Sequence, residues 1–213
     1  MPATRLHLVR HGEVHNPDGI LYGRIPGYRL SERGERMAQV SAESMTDAPI
    51  VRLYASPLER AQQSAQPWSE QFGLEAKTET RIIEPWNKFE GGKFDLKGAL
   101  LKPSRWHLIR NPFEPSWGEA YDAIAQRVIA AMEDAWDELD ESGETGEIVM
   151  VCHQSPIWMA HLAIAGQRLW HDPRTRRCDL SSITSFERRD GRFAEVAYAD
   201  PAANIDRIDT GAV

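Results

Sequence analysis

The fold is decided by the stretch LHLVRHGE at residues 6–13. Its apolar part, Leu6–Val9, predicts a short buried strand, and Gly12 ends that strand in a turn. In an open α/β sheet, ligands bind beyond the carboxyl ends of the strands. Arg10 beside His11 at that place indicates a phosphate site, because a guanidinium grips phosphate oxygens through two parallel bonds and a neutral imidazole can attack phosphorus.

Strand and helix patterns alternate along the rest of the chain. Apolar runs at Ile50–Tyr54 and Ile148–Cys152 predict two further buried strands. Helices are predicted at residues 31–45, 58–72, 121–139 and 156–165. Two strands near the C-terminus are predicted to pair as a hairpin across Asp190-Gly191. This order predicts an α/β fold: a three-layer α/β/α sandwich with a mostly parallel central sheet, in a single domain over residues 1–213.

The composition is that of a globular enzyme. The chain has 213 residues, of which 41% are hydrophobic and 27% charged, so it can bury a large core. Its net charge of −7 argues against nucleic acid as a partner, because duplex binding requires a broad basic face. The only two cysteines, Cys152 and Cys178, form no metal-binding pattern, and we recognise no signal peptide or membrane span. We therefore expect a cytoplasmic protein with no membrane association.

Other polar groups follow predicted strands as His11 does. Arg60 belongs to the segment SPLERA at residues 56–61, Glu84 follows the apolar pair Ile82-Ile83, and His153 ends an apolar strand. If these strands are neighbours, their polar groups converge at one edge of the sheet. On its own, the tripeptide around His11 is equally well explained as an ordinary loop histidine. The interpretation as a phosphate site therefore depends on the other polar groups lying at the same edge of the sheet.

Taken in order, these segments resemble the histidine phosphatase superfamily, also called the phosphoglycerate-mutase-like family. The resemblance covers most of the chain. Its segments are RHGE at residues 10–13, LSERG at 30–34, SPLERA at 56–61, Gly118-Glu119, the strand ending in His153, and LSSIT at 180–184. This combination in this order is highly specific, and it implies a phosphoryl-transfer enzyme.

The resemblance implies the catalytic roles. His11 would form a phosphohistidine, and His153 would stabilise the charge of the transition state. Glu84 would protonate the leaving oxygen and then activate water, although Glu90 lies close by and stays open as the acid. No metal and no cofactor are expected, because arginines and a second histidine perform the electrostatic task.

The resemblance also implies the phosphate ligands. Arg10 and Arg60 would hold the phosphoryl oxygens. Asn16 is a further candidate, although it stands one residue closer to the nucleophile than the asparagine of the family's Trp-Asn pair. Gly23 corresponds to the family's loop glycine. Gln154 stands where the family often has glycine, and its amide could reach the rim of the pocket.

Residues 85–117 are predicted to form a cap that selects the substrate. This insert carries six basic and three acidic residues on an otherwise acidic chain, which suggests steering of an anionic substrate. It also contains six aromatic residues. These either pack the insert onto the domain or contact an apolar leaving group.

Three functions are open at this stage. The first is a phosphatase for small-molecule phosphate monoesters, and the second is a phosphoglycerate-type mutase, which has to shelter its phosphohistidine from water. Family mutases are typically longer through the insert, which favours hydrolysis. The third is a non-catalytic phosphate-binding module, which would need no second histidine or acid. The substrate is open, and so is the choice between monomer and homodimer.

Overall fold

A computed structural model of the chain describes residues 3–88, 90–92 and 118–205. Most of the predicted cap, at residues 93–117, lies outside the described residues. The strands are β1 Ala3–Arg10, β2 Ile50–Ala55, β3 Lys77–Thr78, β4 Gly146–Cys152, β5 Ile183–Arg189 and β6 Arg192–Ala199. The helices are α1 Glu32–Glu43, α2 Glu59–Phe72, α3 Tyr121–Ser142 and α4 Gln154–Ile164, with 3-10 turns at Thr80–Ile82 and Pro173–Thr175.

The strands form one mixed sheet in the order β3-β2-β4-β1-β5-β6. The first four of these strands are parallel, and β5 and β6 join them as an antiparallel hairpin. The hairpin turn is Asp190-Gly191, where φ is 51° and 74°, the left-handed backbone that a tight two-residue turn requires. The predicted mostly parallel sheet with a C-terminal hairpin is confirmed.

Helices cover both faces of the sheet. Helices α3 and α4 pack together over Leu6, Leu8 and Met150, while α1 and α2 cover the opposite face, where Val9 and Val151 lie. Every residue of β4 is buried, as expected for a central parallel strand. The three-layer sandwich is therefore confirmed. Within the described ranges, no helix is both long and apolar enough to span a membrane.

Two expectations about local structure need correction. Helix α4 begins at Gln154 rather than at Pro156. The N–H groups in the first turn of a helix have no acceptor within the helix, so a proline, which has no N–H, is tolerated there and need not be the first residue. The polar sequence after Asp200 predicts a loosely held tail, but the described part of this segment, up to residue 205, is anchored to the domain. Ala202 is fully buried against Met37 and Leu180, which form a small third cluster.

The register of the sheet determines which of the polar residues that follow its strands lie next to one another. Strands β1 and β4 are neighbours, and Arg10 pairs with Cys152 at their carboxyl ends. His11 and His153 are therefore the first residues beyond two adjacent strands. On the other side of β4, Ala55 of β2 pairs with Val151, so the segment that opens α2 begins at the same edge.

Candidate active site

The backbone of His11 is held from three sides. Its N–H donates to the carbonyl of Cys152 over 3.0 Å, and the N–H of Gly12 donates to Ser64 Oγ over 3.0 Å. On the third side, a Cβ atom at Gly12 would lie 2.3 Å from the carbonyl oxygen of Gly34, so only glycine permits this approach. The loop after β1 is thus fixed by α1, α2 and β4 together.

The side chain of His11 is buried, and one of its two ring nitrogens is engaged in a hydrogen bond. Its Nδ1 donates to the carbonyl of Gly12 over 2.7 Å, which leaves the lone pair on Nε2. Arg60 Nε donates to that Nε2 over 3.3 Å, and the ring centroid lies 5.2 Å from that of His153. Burial, followed by the charges of Arg60 and Arg10, holds the pKa of His11 well below its ordinary value. The imidazole is therefore neutral and its Nε2 is nucleophilic.

His153 is also buried and neutral. It follows β4 directly, and its Nε2 lies 2.7 Å from Ser56 Oγ in a hydrogen bond. Its Nδ1 is buried and has no hydrogen-bond partner among the described residues. Burial, then the charges of Arg60 and Arg10, lowers the pKa of His153 well below its ordinary value. A neutral ring whose Nε2 accepts from Ser56 presents Nδ1–H as a donor.

Two buried arginines flank the histidines. Arg10, the last residue of β1, donates through one terminal nitrogen to the carbonyl of Cys178 over 2.7 Å, while its Nε lacks a partner among the described residues. Arg60, in the first turn of α2, donates to the carbonyl of Gly23 over 2.8 Å and lies 4.8 Å from the ring centre of Tyr22. Burial lowers the pKa of Arg60, so this guanidinium is a poorly solvated cation.

Glu84 brings a carboxyl group to the same cluster. It is only 5% exposed, and its Oε2 is buried without a hydrogen-bond partner among the described residues. Arg24 Nε donates to its backbone carbonyl over 2.5 Å and fixes the segment. Burial raises the pKa of Glu84, against the opposing charge of Arg60. These shifts favour a carboxylic acid that can donate a proton.

The sequence matches the histidine phosphatase superfamily (branch 1) over residues 6–201. The chain belongs to this superfamily. It is 46% identical over 201 residues to an uncharacterized protein of Mycobacterium tuberculosis, covering 94% of this chain and 98% of that one. It is 31% identical over 153 residues to a 2,3-bisphosphoglycerate-dependent phosphoglycerate mutase of Thermoplasma acidophilum, covering 70% of each. The mycobacterial glucosyl-3-phosphoglycerate phosphatase, solved with inorganic phosphate, superposes with a TM-score of 0.76 at 21% identity, over 95% of this chain and all (100%) of that chain.

The structure of this superfamily member brings five of the predicted residues together. The two histidines contact each other edge to face, and Arg60 bonds to one of them. The charges of both arginines act on both histidines and on the acid. The five residues are His11, Arg10, Arg60, Glu84 and His153.

Glu84 is the better placed of the two candidate acids. Glu90 is only partly buried, and its Oε1 accepts from the backbone N–H of Asn87 over 3.1 Å. Its side chain also lies against Gly23, where a Cβ atom would be 2.2 Å from that oxygen. The carbonyl oxygen of Gly23 accepts a hydrogen bond from Arg60. Glu90 therefore supports the loop, whereas Oε2 of Glu84 makes no hydrogen bond to any residue that the structure describes.

Two of the predicted phosphate ligands are engaged elsewhere. The amide of Asn16 bonds to Ile20 in both directions, donating to its carbonyl over 2.9 Å and accepting from its N–H over 3.0 Å. Gln154, the first residue of α4, accepts from a terminal nitrogen of Arg176 over 3.1 Å. Asn16 thus closes its own loop, and its role and that of Gln154 as phosphate ligands stay predictions.

Sequence reasoning missed several supporting residues. Ser56 had a detectable signal, since it is a polar residue directly after a strand, like His153. Ser64 had none, because its role depends on which helix faces the loop. Arg176 lies in no recognisable motif. Over the part of the chain that the structure describes, no group of three or more acidic, His or Cys side chains could hold a metal ion.

Proposed function

We propose that this protein hydrolyses small-molecule phosphate monoesters through a phosphohistidine on His11. The observation that carries the proposal is the state of the imidazole. Its Nδ1 donates to Gly12, so Nε2 holds a lone pair, and this atom lies 3.3 Å from Arg60 Nε and beside the His153 ring. A nucleophile with a fixed tautomer and cationic neighbours suits attack on a phosphate dianion.

The reaction has two steps. In the first, Nε2 of His11 forms a bond to phosphorus while the ester oxygen leaves with the proton of Glu84. In the second, water attacks the phosphohistidine, the N–P bond breaks, and Glu84 takes the proton of the water. Inorganic phosphate is released, and both side chains return to their starting states.

The remaining members of the cluster stabilise charge. Arg10 and Arg60 would neutralise the phosphoryl oxygens, and Nδ1–H of His153 would donate to one of them. These groups are held by backbone carbonyls and by Ser56, so little reorganisation is needed when charge develops. Because this electrostatic work is done by side chains, we expect turnover to be unchanged by EDTA.

A mutase is the second candidate, since a relative with 31% identity is a phosphoglycerate mutase. A mutase would return the phosphoryl group of His11 to a second oxygen of the substrate instead of to water. Incubation with 3-phosphoglycerate separates the two functions. Formation of 2-phosphoglycerate faster than release of phosphate would replace our proposal with the mutase.

A cytoplasmic location is part of the proposal. Cys152 and Cys178 are both free and buried, and unpaired thiols are typical of a reducing compartment. Fractionation of cells that produce the protein from its own gene tests this, and recovery outside the cytoplasm would contradict it.

Hydrolysis of p-nitrophenyl phosphate by wild type, His11→Ala and His15→Ala tests the mechanism. His15 is an exposed histidine four residues away and provides the matched control. We expect His11→Ala to lose roughly a thousandfold or more in kcat, since covalent catalysis is abolished, and His15→Ala to match wild type. Rapid quenching should trap an acid-labile phosphoenzyme in wild type and in His15→Ala but not in His11→Ala. Equal rates for wild type and His11→Ala would remove His11 from the mechanism.

A further inference from the structure

Glu119 binds two arginines that reach it from different parts of the chain. Its Oε1 accepts from Arg127 Nε over 2.7 Å. Its Oε2 accepts from a terminal nitrogen of Arg127 over 3.1 Å and from one of Arg24 over 3.2 Å. The pairing with Arg127 is bidentate, a strong and specific geometry for a guanidinium and a carboxylate. Because the Glu119 side chain is only 16% exposed, it fixes both guanidinium groups in one arrangement.

The same two arginines hold the segment that ends in Glu84. Arg24 Nε donates to the backbone carbonyl of Glu84 over 2.5 Å, and the other terminal nitrogen of Arg127 donates to the backbone carbonyl of Arg81. The two carbonyls lie three residues apart, at the ends of the segment. Each arginine therefore uses different nitrogens for the Glu119 carboxylate and for the backbone that carries Glu84.

The backbone of Glu84 has little other support. Glu84 lies outside the helices and strands, after the 3-10 turn Thr80–Ile82, so no regular ladder of backbone hydrogen bonds fixes its position. Ile82 is fully buried and anchors that turn. Beyond it, the only hydrogen bond to the Glu84 backbone among the described residues comes from Arg24. The position of this carboxyl group therefore depends on where Arg24 is held.

The backbone of Glu119 is tied to the stretch of chain that follows Glu84. Its N–H donates to the carbonyl of Trp86 over 3.3 Å, and Gly118 pairs with Asn87 in an antiparallel bridge. A Cβ atom at Gly118 would lie 3.1 Å from the Trp86 carbonyl oxygen, so the two stretches approach closely. The Glu119 carboxylate thus occupies a fixed place beside the segment of Glu84.

Loss of the Glu119 carboxylate would leave two like charges close together. One terminal nitrogen of Arg24 and one of Arg127 lie within 3.2 Å of the same oxygen, Oε2 of Glu119. Without that negative charge the two guanidinium groups repel each other, and Arg24, whose side chain is 33% exposed, would turn towards water. Its hydrogen bond to the Glu84 carbonyl would then be lost.

We propose that Glu119 is a positioning residue that acts through Arg24 and Arg127 to hold Glu84 where its carboxyl group can protonate the leaving oxygen. This inference rests on the proposed function, because the position of Glu84 matters for that proton transfer. A general acid has to lie within hydrogen-bond distance of the oxygen that it protonates, and a displacement of about 1 Å can cost about a hundredfold in rate.

The test compares two phosphate esters in wild type, Glu119→Gln and Glu195→Gln. Phenyl phosphate needs a proton on its leaving oxygen, whereas 2,4-dinitrophenolate leaves without one. Glutamine has the size of glutamate, but its NH₂ group cannot accept from a guanidinium, so the two-arginine arrangement is broken. We expect Glu119→Gln to lower kcat/KM about 10- to 100-fold with phenyl phosphate and less than about threefold with the dinitrophenyl ester.

Glu195→Gln is the matched control. The Glu195 carboxylate also bonds to two basic side chains, those of Arg177 and His161, and its side chain is 19% exposed, close to the 16% of Glu119. Glu195 lies on β6, an edge strand of the sheet. We expect its loss to leave kcat/KM for both esters within about twofold of wild type. Urea denaturation of both variants measures how far each is destabilised.

A double-mutant cycle with Glu84→Gln shows whether the effect passes through the acid. If Glu119 acts by placing Glu84, then Glu119→Gln should have almost no further effect on kcat/KM for phenyl phosphate once the acid is gone. Arg24→Gln provides a second variant should Glu119→Gln not fold. It removes the bond to the Glu84 carbonyl from a partly exposed position, and we expect the same dependence on the leaving group.

The outcomes separate this inference from the proposed function. Equal losses with both esters, or an undiminished loss in the Glu84→Gln background, would overturn the inference and assign Glu119 to folding or to substrate binding. Wild-type hydrolysis that does not depend on His11 would overturn the proposed function together with the inference. Hydrolysis that depends on His11, but with no leaving-group dependence of the loss in Glu119→Gln, would overturn the inference alone.

Discussion

The contact between Gly34 and the loop of His11 allows a sharp prediction. A Cβ atom at Gly34 would lie 2.0 Å from the carbonyl oxygen of Glu13, whereas carbon and oxygen normally approach to about 3.3 Å. In Gly34→Ala, helix α1 and the loop must therefore separate by about 1 Å. This shift weakens the bonds from Ser31 to Glu13, a backbone bond of 2.9 Å and a side-chain bond of 2.8 Å.

The expected magnitudes follow from these contacts. Overpacking costs about 1–3 kcal/mol, and each weakened hydrogen bond adds up to about 1 kcal/mol, so Gly34→Ala should lower the free energy of unfolding by about 2–4 kcal/mol. A displacement of about 1 Å at His11 should lower kcat for p-nitrophenyl phosphate by about a hundredfold. Urea denaturation followed by tryptophan fluorescence measures the first quantity, and initial rates at saturating substrate measure the second.

Gly146→Ala is the matched control. A Cβ atom there would lie 2.6 Å from the carbonyl oxygen of Pro49, so it is crowded as well, but Gly146 begins β4 at the edge of the sheet opposite His153. We expect Gly146→Ala to destabilise the protein to a similar degree while kcat changes by less than about twofold. Wild-type kcat in Gly34→Ala, or an equal loss of kcat in both variants, would refute the reasoning.

Two further predictions concern the histidines. Ser56→Ala should lower kcat/KM for p-nitrophenyl phosphate by about tenfold, because the buried Nε2 of His153 loses its 2.7 Å partner; an unchanged value would contradict this. Burial lowers the pKa of both His11 and His153, so below about pH 6.5 the unfolded state binds more protons than the folded state. The free energy of unfolding in urea should therefore fall from about pH 7 to about pH 5, less steeply in His153→Asn, and an identical slope in both proteins would refute the assignment.

The sequence predicted the fold well because its decisive signals are local. Apolar runs such as Leu6–Val9 and Ile148–Cys152 are long enough to identify central strands, and Asp190-Gly191 specifies its turn without help from distant residues. The grouping of His11 with His153 followed from one general rule, that parallel strands end at the same edge of a sheet. The bounds of β1 were underestimated, because Thr4, Arg5 and Arg10 flank the apolar run with polar side chains although all three belong to the strand.

Features that depend on contacts between distant segments could not be predicted in this way. Glu84 and Glu90 look alike in sequence, and only tertiary packing buries the first while the second bonds to Asn87. Arg176 reaches the start of α4 from a loop about twenty residues later in the chain, with no periodicity or motif to mark it. Supporting residues of an active site are selected for such contacts, which leave little trace in local sequence.

The protonation states of the site suit the proposed reaction, which requires binding of a phosphate dianion and a proton for the leaving oxygen. Arg10 and Arg60 are buried, and among the described residues their hydrogen bonds go to carbonyl oxygens and to an imidazole rather than to carboxylates. Burying a cation without an anionic partner is unfavourable because the charge loses its hydration. A bound phosphate group would compensate for this desolvation free energy. An ionised Glu84 would pair with Arg60 and compete with that phosphate. Burial raises the pKa of Glu84 and so favours the uncharged acid, the form that would leave the arginines to the substrate and keep the proton that the leaving oxygen needs.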